Sequence, residues 1–425
     1  MNNYKRYIIF WLSQSVSQLG SAMTAFALIL LTYEQKNSAM AVSIMTFCNY
    51  VPFIIVSLIA GSFIDRHSKK AIMLISDSVA ALCSLAVFVL WTMGSIKIWN
   101  IYVVNIVIGF MNAFQQPASA VAVGRIVPKE KLSNVSGMNS FSSNLITVLS
   151  PVLAAFIFSF SGLGTILIID LISFTFAFLV LLFVIRIPED NTKVSEKPIL
   201  EGTREGFRFL KGEKGLLYIM LTMALINFFS RLTYENILSP MILSRSGGNS
   251  RTLGFVNAAM GIGGIAGGFI VSLKKASKKN ARMIYLSAAT SFLLGDIMMA
   301  VGRNGFMWSV AGIAASLPIP FIMAGQNVIM YSKIPDEMQG RVFAVRNAIQ
   351  FGTIPFAILL GGFLADHVFE PFMRSDNVVA DFLKGIVGHG NGNGMAVMFL
   401  MTGITGFLIS IFSYKKPEIR ELDMQ

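Results

Sequence analysis

Apolar runs of about 20 residues recur along this chain with short polar stretches between them, and this spacing constrains what it can fold into. Twelve runs can be read, near residues 8–32, 40–63, 71–94, 99–123, 137–160, 164–186, 216–240, 252–273, 282–302, 306–330, 342–364 and 395–413. An α-helix rises about 1.5 Å per residue and a bilayer core is about 30 Å thick, so each run can cross a membrane as a helix. Composition agrees, with 54% hydrophobic residues and 35 Phe in 425 positions and a mean hydropathy of +0.67. A water-soluble fold would leave too much of that surface wet. The first run follows a basic start, is too long for a signal peptide, contains Gln14 and Gln18, and lacks a small-residue cleavage site. It reads as a retained signal anchor.

Charge gives the orientation. If the loops alternate between two sides, one side collects Lys5, Arg6, Arg66, Lys69, Lys70, Arg125, Lys131, Lys279, Arg282, Lys333, Arg341 and Lys415, with further basic residues in the same loops. The other side holds only Lys36, Lys97, Arg245, Arg251, Arg303, Arg374 and Lys384. The basic side, with both termini, is expected in the cytoplasm. The net charge of +12 is then a topological signal, and no nucleic-acid partner is expected. Cys48 and Cys83 fall inside apolar runs and read as small buried hydrophobes, without disulfide or metal-ligand spacing. His67, His367 and His389 fall in expected loops, no nucleophile–base spacing is apparent, and no phosphate-binding Gly-x-x-x-x-Gly-Lys-Ser/Thr occurs. An enzyme is not expected, nor is a cofactor.

The longest cytoplasmic connection, "IRIPEDNTKVSEKPILEGTREGFRFLKGEKG", follows run six. It divides the chain into a first six-helix bundle (1–187), a central linker (188–215) and a second bundle (216–425). Glu201 to Leu210 can form an amphipathic surface helix with Phe207 and Leu210 turned down, or serve as a tether. Weak repetition supports two halves: "GRIVPKEKLSNVSGM" after run four matches "YSKIPDEMQGRVFAV" after run ten, and Pro151 and Pro355 take comparable places in runs five and eleven. Such repeats are expected where two pseudo-symmetric bundles rock around a central site. Run eight offers Gly263-x-x-x-Gly267 and Gly264-x-x-x-Gly268 for close packing. The outer segment 366–394 is expected to be an unusually long loop ending in a Gly/Asn stretch.

Between runs two and three stands "GSFIDRHSKK". With twelve helices and a central loop, this resembles the major facilitator superfamily and its Gly-x-x-x-Asp-Arg/Lys-x-Gly-Arg/Lys-Arg/Lys signature. Gly61, Asp65, Arg66, Lys69 and Lys70 match, and Ser68 replaces the usual Gly. "SAMAVSI", "DRHSKKAIMLISD", "FQQPASAVAVGRIVP", "VIRIPED" and "IPDEMQGRVFAV" resemble the macrolide-efflux branch, a drug-exporter group similar also to siderophore exporters and lysophospholipid transporters. The resemblance implies the superfamily fold, with twelve spanning helices in two pseudo-symmetric bundles. It also implies a conformational latch from Gly61, Asp65, Arg66, Lys69, Lys70, Asp77, Arg125 and Arg341, with Asp65 meeting a helix N-terminus near Arg341.

Polar stripes on spanning helices turn away from lipid. Run one carries Gln14, Ser17, Gln18 and Ser21, which share a face at i, i+3, i+4, i+7. Run four carries Asn112, Gln116 and Ser119, and run five carries Asn139, Ser140 and Ser143. In run seven, Asn227, Arg231, Tyr234 and Glu235 lie within two turns, Arg231 and Glu235 at i, i+4. They line a transport path or form a neutralised structural pair. The family places helices 1, 4, 7 and 10 around a central cavity. The expected substrate contacts are therefore Gln14, Gln18, Asn112, Gln116, Asn227, Arg231, Tyr234, Glu235 and, on run ten, Asn327. Asp170 and Asp296 fall on runs that the family places at the periphery, where helix packing is the expected role.

The resemblance implies secondary export of amphipathic small molecules, such as a macrolide or other drug, across the bacterial inner membrane by alternating access. Proton antiport is implied by family alone, with Glu235 the expected proton site. Ile108 stands where superfamily antiporters carry an Arg, and "TVLSPVLAA" keeps only the Pro of their helix-5 signature. A lysophospholipid or siderophore transporter fits the same resemblance. A non-transporting membrane sensor is the competing class, and should tolerate loss of the polar groups that transport needs. A monomer is expected, with membrane lipid, substrate and proton as partners.

Overall fold

The computed structural model describes residues 3–127, 131–185, 187, 199–273 and 279–423, and no strand occurs among them. Eleven helices among these are long and apolar enough to span a bilayer. One of them, Met138–Val184, has 47 residues, or about 70 Å of helix, over twice a bilayer core. It breaks at Gly162, where φ is 71° and ψ is −174°, a backbone shape that glycine tolerates without steric cost. Runs five and six therefore lie on either side of Gly162.

The chain forms two compact units. The first comprises Met1–Asn37 and Ile44–Ser195, and the second Ser38–Ser43 and Glu196–Gln425. The first unit contains α1 (Asn3–Lys36), most of α2 (Ala39–Arg66), α3 (Lys69–Thr92), α4 (Ile98–Ile126) and α5 (Leu132–Leu179), which ends in a π-helical turn, Val180–Val184. Tyr7, Phe10, Met73, Ala118, Val135 and Leu181 are among the residues of its core. The loop motif shapes this unit locally. Ser68, in the place of the usual Gly, has φ −60° and caps α3 by accepting from the Ala71 amide, as Ser does at helix starts. Lys70 donates to the carbonyls of Leu182 and Ile185 at 2.8 and 2.7 Å, a cation on the free carbonyls of a helix end.

The second unit contains α6 (Ile199–Gly212), α7 (Lys214–Tyr234), α8 (Leu238–Arg245), α9 (Ser250–Leu273) and α10 (Asn280–Thr290). A π-helical turn, Ser291–Asp296, leads into α11 (Ile297–Val301), followed by α12 (Gly305–Ser316), α13 (Ile319–Lys333), α14 (Asp336–Phe351) and α15 (Ile354–Leu364). After a second π turn, Ala365–Phe369, come α16 (Glu370–Arg374), α17 (Val378–Val387), α18 (Asn393–Tyr414) and α19 (Pro417–Arg420). Runs seven, ten and eleven are thus each two helices. Pro318, Pro320 and Pro355 sit at or just after two of the breaks, and Pro240 stands in the first turns of α8. Each removes a backbone donor that a continuous helix would use.

Four expectations change. Segment 366–394 is mostly helical rather than loop, and its Asp366 accepts from the Ser38 hydroxyl and the Ala39 and Met40 amides at 2.6, 3.1 and 2.9 Å. His367 accordingly lies in a π turn, stacked on Phe363. In α6, Leu210 enters the core while Phe207 is 52% exposed; the helix packs on α14, where Gly206 meets the Arg341 carbonyl and Glu205 pairs with Arg341. Of the two glycine pairs in α9, Gly263 and Gly267 abut Ile313, Ser316 and Leu317, whereas Gly264 and Gly268 face open space.

Candidate functional site

A cavity of about 690 Å³ lies within the first unit, walled by α1, α4 and α5. Helical spacing explains its lining. Tyr7, Trp11, Gln14, Ser15 and Gln18 recur at i, i+4, i+7, i+8, i+11 along α1 and share a face. From α4 come Gln116 and Ser119, and from α5 Asn139, Ser140, Ser143 and Asn144. Two cross-helix hydrogen bonds hold the wall. Tyr7 Oη donates to Asn139 Oδ1 at 3.0 Å, and Ser142 Oγ donates to Ser15 Oγ at 2.6 Å.

Trp11 Nε1 is buried without an acceptor in the protein, while the buried Gln14 amide is turned toward the Asp77 carboxylate. Buried donors normally find a partner, and each orphan costs about 1–3 kcal/mol. No charged side chain is among the described lining residues. The site therefore offers aromatic surface with amide and hydroxyl handles, at a volume within the range of small-molecule sites.

Of the expected contacts, the structure brings together Gln14, Gln18 and Gln116. Asn112, one turn before Gln116, is half-buried and is not among the lining residues. The run-one stripe divides. Ser17 and Ser21 face a separate small cavity of about 40 Å³ shared with Asp77, Ser84 and Asp170. Gln14 spans the gap, since its amide also lies beside Asp77. Sequence reading missed Tyr7, Trp11, Ser15 and Asn144; Trp11 and Ser15 stand at i−3 and i+1 from Gln14, so extending the polar stripe to include aromatics would have found them.

In the second unit, Arg231 and Glu235 form an ion pair, with side chains 39% and 20% exposed. Asn227 is half-buried on the same helix and Asn327 is exposed on α13. Tyr234 packs edge-to-face on Phe399 of α18, its ring centroid 5.2 Å away, and its hydroxyl is buried without a partner. Among the motif residues, Gly61 lies in α2, and the side chains of Asp65 and Arg66 lie outside the described residues. Lys69 is 4% exposed, Arg125 is half-buried at the end of α4, and Asp77 accepts from Gln115 at 2.9 Å.

Comparison with known proteins agrees with this architecture. Macrolide efflux protein A of Streptococcus pyogenes is 25% identical over 432 residues, covering 100% of this chain and 99% of that protein. The multidrug efflux pump Tap of Mycolicibacterium fortuitum is 22% identical over 453 residues, covering 100% and 99%. A solved bacterial homologue of the iron transporter ferroportin superposes with a TM-score of 0.68 at 14% identity, over 98% of this chain and 100% of that one; this is a likeness of fold alone. The sequence model of the Major Facilitator Superfamily matches residues 10–368. With its spanning helices and polar-lined cavity, the chain belongs to that family, as a multi-pass transporter of the cell membrane and not an enzyme.

Proposed function

We propose that this transporter exports amphipathic small molecules, with macrolides the first class to test, by alternating access coupled to proton entry. The observation that carries the reading is the cavity of α1, α4 and α5. It is roomy, aromatic, furnished with the amides of Gln18, Gln116 and Asn144 and the hydroxyls of Ser119, Ser140 and Ser143, and lined by no charged side chain among the described residues. A large neutral ligand with ester and hydroxyl oxygens suits such a wall, whereas a polyanionic ligand would enter without a cation to meet it. The similarity to macrolide and multidrug efflux proteins over whole chains supports the same class. Both termini are assigned to the cytoplasm on the distribution of Lys and Arg.

The test is accumulation of radiolabelled erythromycin in efflux-deficient cells. Cells expressing the chain should hold less label than vector controls, and a protonophore should erase the difference. Asp65→Asn tests the loop motif and Glu235→Gln the expected proton site, each compared at matched membrane abundance. Equal accumulation in wild-type and vector cells, with the protein present in the membrane, would overturn the macrolide reading and direct the assay to siderophores and lysophospholipids.

A further inference from the structure

We propose that Asp296 is a proton-binding site of the second unit, exchanging its proton with water through Tyr234. The two side chains come from different helices and are left incomplete together. Asp296 ends the π turn Ser291–Asp296 and is 1% exposed. Its Oδ2 accepts from Thr402 of α18 at 2.7 Å, while Oδ1 has no partner. Beside it lies the Tyr234 hydroxyl, also buried, which reaches the same carboxylate without closing a well-formed hydrogen bond. A phenol set loosely against a carboxylate in a low-dielectric interior can hold a hydrogen bond in either direction, donating to the ionised acid or accepting from the protonated one.

The backbone at both residues is irregular. Tyr234 is the last residue of α7, before the turn to α8, and Asp296 lies in a π turn, a feature enriched at functional sites. Helix packing confines the acid: a Cβ on Gly403 would sit 3.0 Å from Asp296 Cβ. Tyr234 is flanked on its own helix by the partly exposed Arg231–Glu235 pair. Tyr234 thus stands between Asp296 and a partly exposed pair of charges on α7.

The chemistry balances simply. A proton from water adds to Oδ1 and turns the carboxylate into a neutral acid, whose new O–H donates to Tyr234 Oη. On release the hydrogen bond reverses, with Tyr234 donating to Oδ1. Among the described residues, the elements packed against Asp296 bring no other titratable group close to it. α11 and α12 carry none. On α10, Tyr285 stands 11 residues before Asp296 and Arg282 lies further, about 16 Å or more along the helix. On α18 the only one is Tyr414, 12 residues beyond Thr402. On α7, Arg231 and Glu235 satisfy one another.

Coupling this proton to export rests on the proposed function, but proton binding does not, so the two can fail separately. The measurement is infrared difference spectroscopy of the purified full chain in lipid nanodiscs across a pH titration, reading the carbonyl stretch of a protonated carboxylic acid. A titrating band is expected that disappears in Asp296→Asn, persists in Asp170→Asn and Glu235→Gln, and shifts in frequency in Tyr234→Phe. The tyrosine variant keeps the acid and the fold, so it remains informative if Asp296→Asn does not fold. A titrating band that loses no component in Asp296→Asn, has no component shifted in Tyr234→Phe, or is absent from the wild type would overturn the assignment. Erythromycin export whose pH dependence is lost in Asp296→Asn would add the coupling. PH-dependent export unchanged in that variant would confine Asp296 to proton binding outside the transport cycle and overturn its use there.

Discussion

Asp170 and Asp296 are each almost wholly buried in spanning helices, 3% and 1% exposed, yet they are treated in opposite ways. Asp170 lies within the regular helix of α5 and receives three hydroxyls: Ser21 and Thr24 from α1 at 3.0 Å each, and Ser84 from α3 at 2.8 Å. Both its oxygens are occupied by donors that tie three helices together. Asp296 lies in a π turn, receives a well-formed hydrogen bond only from Thr402, and has the Tyr234 phenol loosely beside it. Burial alone therefore does not distinguish a structural acid from a functional one. The completeness of the hydrogen bonding separates these two, because hydroxyls donating to a carboxylate favour its ionised form, and Asp170 has three of them where Asp296 has one.

The largest effects should come from the glycines that let a helix approach each acid. A Cβ on Gly20 would stand 2.5 Å from Ser173 Oγ and 3.1 Å from Asp170 Cα; one on Gly403 would stand 3.0 Å from Asp296 Cβ and 3.1 Å from the Phe292 carbonyl. Overpacking of this kind costs about 1–3 kcal/mol. Gly20→Ala should fall near the upper end of that range and Gly403→Ala near the lower, read as loss of thermal stability in detergent. Equal losses would mean that the two junctions are equally tight.

Removing the acids should separate them further. Hydrogen bonds between membrane helices average about 0.6 kcal/mol each, so Asp170→Ala should cost about 2 kcal/mol and Asp296→Ala well under half of that. The same thermal measurement decides. If Asp296→Ala were the more damaging, Asp296 would be the structural acid and the contrast would be reversed.

Much of the frame was legible from residue order, and the acids were not. The apolar runs gave the spans because length and hydrophobicity are local properties, and two runs could be separated although one helix assignment covers both sides of Gly162. Gln14, Gln18 and Gln116 were legible as cavity residues because polar groups on a spanning helix turn from lipid. Asp170 and Asp296 looked alike as single acids in peripheral runs. What differs is which hydroxyls other helices bring to them, across sequence separations of 149 for Ser21 and 106 for Thr402, and no local pattern encodes that. The breaks in runs seven, ten and eleven were hidden for a related reason. Hydrophobicity continues smoothly through them, while the interruption is a backbone matter at Pro240, Pro318 and Pro355.

The cavity predicts a smaller effect. Gln18→Leu and Gln116→Leu each remove a lining amide that a bound ligand would meet, without adding volume of consequence. A single hydrogen bond contributes about 1 kcal/mol, so binding of a fluorescent macrolide, followed by anisotropy, should weaken roughly fivefold for each. Unchanged binding in both variants would move the substrate contact out of the first unit's cavity. Asp170→Asn serves as the comparison, since its site is closed by its own hydroxyls and binding should be unaffected.

The smallest effect concerns Lys70. Its ammonium caps the carbonyls of Leu182 and Ile185, where α5 loosens into a π turn. Cations at helix ends are worth about 0.3–1 kcal/mol when partly exposed. Lys70→Met keeps the apolar stem and removes the charge, so it should lower stability by no more than that while leaving macrolide binding intact. The result bears on how the loop motif divides its labour. If Lys70→Met stops erythromycin export at undiminished stability, this lysine acts in the transport cycle. If stability falls slightly and export follows only the amount of folded protein, Lys70 holds the end of the sixth span, and any switching belongs to the other charges of the loop.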